Sequence, residues 1–314
     1  MRISFLGKGG SGKTTTAAAF IQYLASQYEH VLAIDADMNV HLQKALNIKG
    51  QAIPIGDNFQ GISQYLNQNR NLDTTIIGST PPNNQSQFVR PTKSDQLIQR
   101  YSLQSGNISL LTVGTYQTED IGSTCYHGKL GSLEAIMHHL LDTKTDWVVA
   151  DTTAGVDNLG TSLFFSYDLN VFIVEPTIKS VNVFKEFLEF SHAHDLNTMC
   201  IINKYEDDDK QFIENNIDSK YIIGTIPVSQ YIKKIEQGDE SQMAEYLKQN
   251  KIVFEKIVEV AGTINRNWQV YQANLNQMHT KISKVWYNDY YNQNLLTQID
   301  PNFDYRVEVK KYQN

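Results

Sequence analysis

A glycine-rich run sits where an apolar segment hands over to a helical pattern, and this junction constrains the chain more than any other feature. Gly7-Lys8-Gly9-Gly10-Ser11-Gly12-Lys13-Thr14 follows Ile3-Ser4-Phe5-Leu6, and behind it Ala17, Phe20, Ile21 and Leu24 recur at helical spacing. The spacing G-x-x-x-x-G-K-T between a strand and a helix reads as a phosphate-binding loop. Glycines let backbone N–H groups wrap a β-phosphate, and the helix N-terminus adds the positive end of its dipole. Lys13 is then placed to bridge β- and γ-phosphates, and the Thr14 hydroxyl to ligate Mg²⁺. Gly9, Gly10, Ser11, Gly12 and Thr15 complete the expected nucleotide contacts around them.

Short apolar runs recur along the rest of the chain, at 31–34, 108–111, 147–150, 171–174, 199–202 and 221–223. Near-continuous apolarity suits strands buried on both faces of a parallel sheet. Helical patterns lie between most of them, for example Val181, Phe184, Phe187 and Leu188 on one face. The expected fold class is α/β, a doubly wound, mostly parallel sheet flanked by helices, over residues 1–268. Residues 50–107 are rich in Asn, Gln, Ser, Thr and Pro and read as a polar insertion, a lid with short helices of its own. Residues 269–314 read as a C-terminal extension: a helix around 273–286, then a Tyr/Asn-rich tail whose end, 305–312, alternates like a strand. Its Trp286, Tyr287, Tyr290 and Tyr291 read as packing against the domain or a partner rather than as ligand contacts.

Charge and cysteine content narrow the function. The net charge is −7, so phosphate backbones and anionic lipid are poor electrostatic matches, and neither nucleic acid nor membrane is the expected partner. Two cysteines, Cys125 and Cys200, do not make a disulfide framework and fit a reducing compartment. The loop begins too early to leave room for a signal peptide, and no run approaches the roughly 18 apolar residues of a membrane helix. A cytoplasmic location is expected.

Lys8 adds a second lysine near the start of the loop, giving K-G-G-x-G-K-T. Here the chain resembles the deviant-Walker-A ATPases. These include the MinD and ParA cell-organisation ATPases, nitrogenase iron protein, the arsenite-pump ATPase and the nickel-insertion ATPase of carbon monoxide dehydrogenase. The resemblance implies an ATP-sandwich homodimer in which Lys8 contacts the nucleotide of the facing subunit. It also gives roles to Ile34-Asp35-Ala36-Asp37-Met38-Asn39. Asp37 matches the family position that orients the attacking water, and Asp35 would support the Mg²⁺ shell through water, although Asp35 alone also reads as a helix cap. Met38 stands where the family commonly has proline. Trp147-Val148-Val149-Ala150-Asp151 reads as a Walker B strand, with Asp151 holding a Mg²⁺-bound water. Gly155 could offer its N–H to the γ-phosphate, in a segment 151–160 that would order around it. Asn203, and Pro227 after Gly224-Thr225-Ile226, match the family's adenine-binding positions, though both are also ordinary turn residues. The resemblance implies ATP rather than GTP as the nucleotide.

Residues 122–133 resemble the nickel-insertion branch, where Cys-x-Cys precedes the corresponding helix and paired cysteines bind a metal between subunits. Glu175-Pro176-Thr177-Ile178-Lys179-Ser180 is also typical of that branch. Here the motif reads Cys125-Tyr126-His127, a set that could ligate Ni²⁺ or Zn²⁺ across a two-fold axis. Read by itself, the pair better describes a small buried packing thiol and a capping or solvent-facing histidine. His138-His139 and the pair His192 and His194 lack facing geometry, and Cys200 reads as core.

The expected protein is therefore a slowly hydrolysing, dimeric ATP switch with Lys8, Lys13 and Asp37 as its catalytic set. What it operates stays open among a metal-centre maturation client, a MinD/ParA-type positioning role and a non-hydrolysing adaptor. The first rests on residues 122–133; the second would want a basic amphipathic tail, for which support is thin.

Overall fold

A computed structural model describes residues 1–69, 76–120, 125–154 and 160–313. The alternation read from the sequence becomes one eight-stranded sheet with the order β3-β4-β2-β5-β1-β6-β7-β8. Its strands are β1 (Arg2–Gly7), β2 (Val31–Ala36), β3 (Leu103–Ser105), β4 (Ile108–Thr112), β5 (Trp147–Thr152), β6 (Leu169–Val174), β7 (Thr198–Tyr205) and β8 (Ile222–Pro227). All neighbours pair parallel except β3, which folds back antiparallel on β4. The doubly wound, mostly parallel fold class is thus present.

The helices are α1 (Lys13–Gln27), α2 (Leu42–Ala45), α3 (Phe59–Leu66), α4 (Gln96–Tyr101), α5 (Tyr126–His138), α6 (Ile178–Ala193), α7 (Lys210–Asn216), α8 (Gln230–Glu236), α9 (Met243–Thr263), α10 (Trp268–Ile282), α11 (Asn288–Tyr291) and α12 (Tyr305–Gln313). Because side chains alternate across a strand, β2 sends Val31 and Ala33 to one face and Leu32 and Ile34 to the other. The first face is covered by α1 and α9, where Phe20 and Phe254 lie 6.1 Å apart between ring centroids. The second is covered by α5 together with α3 and α4. Truncating a fully buried ring such as Phe254 to alanine would cost about 3–5 kcal/mol. A third cluster joins Phe172 of β6 to Phe184 and Phe187 of α6.

The polar insertion does form short helices, but its apolar residues go into the core. Ile55, Ile62, Leu66, Val89, Leu97 and Ile98 are all buried, most of them against α5 and the sheet. Ile62 and Leu66 lie four apart on α3, and Leu97 and Tyr101 four apart on α4, so each short helix buries one face.

The tail departs from the expectation of a strand at 305–312, which is α12. Tyr305, Val309 and Tyr312 are spaced four and three residues apart, a helical stripe. They close a cluster with Leu141, Tyr271, Leu275 and Phe303. Alternating valines at 307 and 309 imitated a strand, yet Val307 is left exposed. Of the tail aromatics, Trp286 and Tyr290 are 71% and 78% exposed, so neither packs on the domain. Tyr287 and Tyr291 stack on each other with centroids 5.9 Å apart.

The extension is fastened at the N-terminal ends of the strands. Arg266 donates to Asp142 at 2.7 and 2.9 Å and to Asp168 at 2.7 and 2.6 Å. Arg2, fully buried, donates to Asp142 at 2.8 Å and to the Tyr271 hydroxyl of α10 at 3.0 Å. Burial pushes Asp142 up, but the Arg2 and Arg266 guanidiniums outweigh it and hold the carboxyl well below its usual range.

Candidate functional site: the phosphate loop and its carboxylates

The loop of residues 7–14 leaves the C-terminal end of β1, where ligands gather in open α/β sheets. Gly12 is the N-cap of α1, with φ 91° and no side-chain cap, so the first-turn N–H groups of a 15-residue helix are left for a ligand. Gly10 has φ 81°, and a Cβ there would meet nothing within 4 Å, leaving its backbone open to an approaching anion.

Lys13 points back across the loop. Its Nζ donates to Asp37 at 3.0 Å and to Asp151 at 2.8 Å, so β2 and β5 each deliver one carboxylate to one ammonium. The neighbouring strands place Asp35 directly opposite Asp151 in the sheet. Burial pushes Lys13 down, but Asp151 and Asp37 overcome it and hold the ammonium above its usual range. For Asp37 burial acts upward, yet Lys13 and the Asn39 backbone N–H win, and the carboxyl stays below its usual range. Asn39 holds that carboxylate twice, from its N at 2.9 Å and its Nδ2 at 2.8 Å. Asp151 is fully buried, and burial raises it despite Lys13 and a hydrogen bond with the Thr14 side chain. Its Oδ2 has no partner among the described residues.

Asp35 is different. Its Oδ2 accepts from Leu42 N at 2.9 Å and its Oδ1 from Asp37 N at 3.3 Å, so it caps the start of α2 as its strand-end position suggested. Burial, then the charge of Asp151, pushes it up to about 7. Two carboxylates therefore share one lysine, with Asp35 opposite one of them, a surplus of negative charge suited to a divalent cation. Asp151 Oδ2 and the Thr14 hydroxyl supply hard oxygen donors of the kind Mg²⁺ prefers. The donor set fits the metal.

Beside the loop, a cleft of about 280 Å³ is lined by Gly12, Thr15, Asn203, Pro227, Ile232 and Tyr246. Asn203 and Pro227 are thus brought to one place. The Asn203 amide, however, donates to the Ser11 carbonyl at 2.7 Å and so braces the loop itself. Lys204 adds a second brace that the sequence reading passed over. Its backbone is left-handed, φ 56°, and its Nζ reaches the Gly10 carbonyl at 2.7 Å and Glu175 at 2.6 Å. The stretch 175–180 is in turn an α6 cap, with Thr177 accepting from Ser180 N and Ser180 Oγ accepting from Glu175 N. Lys8 is half-buried, with no ion-pair partner among the described residues.

Gly155 lies outside the described residues. Where the segment after Asp151 is described again, it is tied to α5. Ser162 N donates to Glu134 at 2.8 Å, its Oγ also donates to Glu134, and it shares a 2.9 Å hydrogen bond with His138 Nε2. The His127 ring lies against Gly160, where a Cβ would collide with it. Cys125, the N-cap of α5, is exposed rather than a buried packing thiol, while Cys200 is core as expected. Among the described residues no group of three or more His, Cys, Asp or Glu side chains is arranged for a metal ion, so Cys125 and His127 would need donors from a second chain. No described helix is long and apolar enough to cross a membrane.

The chain is similar to several known proteins. An uncharacterized ATP-binding protein of Methanocaldococcus jannaschii is 27% identical over 75% of this chain and 88% of its own length. The carbon monoxide dehydrogenase accessory protein CooC of Rhodospirillum rubrum is 25% identical over 76% of this chain and 88% of its own. Among solved structures, MinD of Pyrococcus horikoshii complexed with Mg-ADP superposes with a TM-score of 0.53 at 19% identity, covering 83% of this chain and 97% of that one. A ParA-family ATPase of Chlorobium tepidum gives 0.51 at 16%, covering 83% and 96%. Residues 5–242 match the profile of the CobQ/CobB/MinD/ParA nucleotide binding domain, and the chain belongs to that family.

Proposed function

We propose that the protein is a slowly hydrolysing ATPase that works as a dimeric switch. The observation that carries this reading is Lys13 held between Asp37 and Asp151 at the mouth of an uncapped helix. A nucleotide's phosphates would draw the ammonium toward themselves and leave the two carboxylates for other work. Asp37, ionised and steered by Asn39, would accept a hydrogen bond from the attacking water. Thr14 and Asp151 would hold Mg²⁺, which when bound neutralises phosphate charge. Thr15, Asn203 and Pro227 would line the base, and Gly9 to Gly12 would present backbone N–H groups to the phosphates. Lys8 would reach the nucleotide of a second copy, and Gly155 would contribute a backbone donor.

The test is light scattering on a sizing column with Asp37→Ala protein, beside a hydrolysis assay of both forms. The expected outcome is a doubling of mass with ATP and Mg²⁺ and turnover lowered about 10²–10⁴-fold by the substitution. An unchanged mass removes the role given to Lys8, and undiminished turnover removes that of Asp37.

The switch would assist maturation of a metal centre in a partner enzyme. Support comes from the exposed Cys125 at the start of α5, with His127 two residues on, and from the likeness to CooC. Ni²⁺ or Zn²⁺ added on the same column should drive association that a Cys125→Ala variant loses; association that survives the substitution points away from this client class.

A further inference from the structure

Tyr126 carries a polar atom with nothing to do. The residue is 4% exposed, and its hydroxyl has no hydrogen-bond partner among the described residues. A buried hydroxyl without a partner is costly, so such an atom marks a place where a partner arrives. The ring belongs to the buried cluster that also holds Ala36 and Val113, with Met38 packed against that cluster, and the Tyr116 ring lies 6.2 Å away. The hydroxyl lies near enough to Asp35, Asp37 and Asp151 for all three to act on it electrostatically. Burial, then those charges, pushes the phenol far above its usual range, so it keeps its proton and is a standing donor. Asp151 Oδ2, an acceptor, and Ser11 Oγ of the phosphate loop are also buried without a partner among the described residues. The centre thus carries buried polar atoms that no described residue satisfies, the Tyr126 hydroxyl among them as a donor.

We infer that Tyr126 donates its O–H to an oxygen brought in with Mg-nucleotide, and that this bond couples the first turn of α5 to the state of the site. The inference rests on the nucleotide reading above. The chemistry of the partner is an anionic or metal-polarised oxygen, either of the γ-phosphate or of a water on the metal. The consequence follows from position: Cys125 is the exposed cap of α5, Tyr126 is its first residue, and His127 packs on Gly160. A pull on the phenol is a pull on the turn that carries the exposed thiol and touches the segment after Asp151.

Three measurements on Tyr126→Phe test it. In the nucleotide-free protein the substitution deletes an unsatisfied hydroxyl, so the thermal midpoint should rise or hold; a clear fall means the hydroxyl was already bonded, and the inference is wrong. Affinity should drop about tenfold to a hundredfold, as for one hydrogen bond to a charged group. A drop with Mg-AMPPNP but not Mg-ADP assigns the acceptor to the γ-phosphate, and an equal drop that EDTA abolishes assigns it to a metal-bound water. No drop with either overturns the inference. Maleimide labelling of Cys125 gives a readout independent of turnover, since Cys200 is fully buried and silent. The labelling rate should differ severalfold between nucleotide-free and Mg-AMPPNP forms of the wild type, and much less in Tyr126→Phe. Equal responses in the two proteins overturn the coupling. A wild type that binds no nucleotide at all fails the proposed function instead, a different and recognisable result.

Discussion

The amide of Asn203 occupies the space a side chain on Gly12 would need, and it uses that position to hold the Ser11 carbonyl at 2.7 Å. Gly12→Ala therefore meets two penalties: a left-handed φ of 91°, and displacement of the amide that braces the loop. Fluorescent-nucleotide titration should show affinity lowered about tenfold from the backbone alone, and further from the lost brace. Asn203→Ala should weaken binding less than Gly12→Ala, because it removes the brace without straining the loop.

Lys13→Met should remove nucleotide binding and also destabilise the protein by about 3–5 kcal/mol, because Asp37 and Asp151 are left buried beside each other without a counterion. Urea denaturation at neutral pH measures the loss. Adding Asp151→Asn to Lys13→Met should recover part of it, an unlikeness to additivity that a purely nucleotide-binding lysine would not show.

Asp35 titrates at about 7 in the folded chain against roughly 3.9 unfolded. Between those values the folded form holds the extra proton, so stability falls as pH rises from about 4 to about 7. A thermal-midpoint series over that window should show the decline, and Asp35→Asn should flatten it. Isothermal calorimetry at pH 6 in two buffers of different ionisation enthalpy should reveal proton release when Mg-ATP binds, since a divalent cation favours the ionised carboxylates.

Arg266→Gln should cost about 3–5 kcal/mol, because Asp142 and Asp168 lose a guanidinium that bonds both. The phosphate loop lies at the other end of the strands. Nucleotide affinity measured well below the lowered midpoint should therefore stay near that of the wild type.

The sheet was legible because its strands are short apolar runs between polar ends, and the phosphate loop because its spacing has few other uses. Asp37 and Asp151 read from the sequence as holding water and Mg²⁺, and their pairing with Lys13 was not legible, since no local pattern joins residues 24 and 138 positions from that lysine. Lys204, Asn39 and Tyr126 went unassigned for a different reason. Each acts through a single long-range or orphaned polar atom, and a lysine, an asparagine or a tyrosine in a chain is mute about which carbonyl or carboxylate it will meet. The tail helix at 305–313 was misread because two valines two apart outweighed an aromatic stripe at helical spacing. Asp35 was read both as a cap and as a metal support, and the hydrogen bond from Leu42 gives it the first of these.

Lys13 already has counterions before any ligand comes. Nucleotide alone would have to strip the ammonium from them and strand two buried anions; a divalent cation alone would have to share the pocket with that ammonium. Each guest removes the obstacle facing the other, so metal and nucleotide should enter as strongly cooperative partners, with the lysine changing hands between carboxylate and phosphate at each cycle.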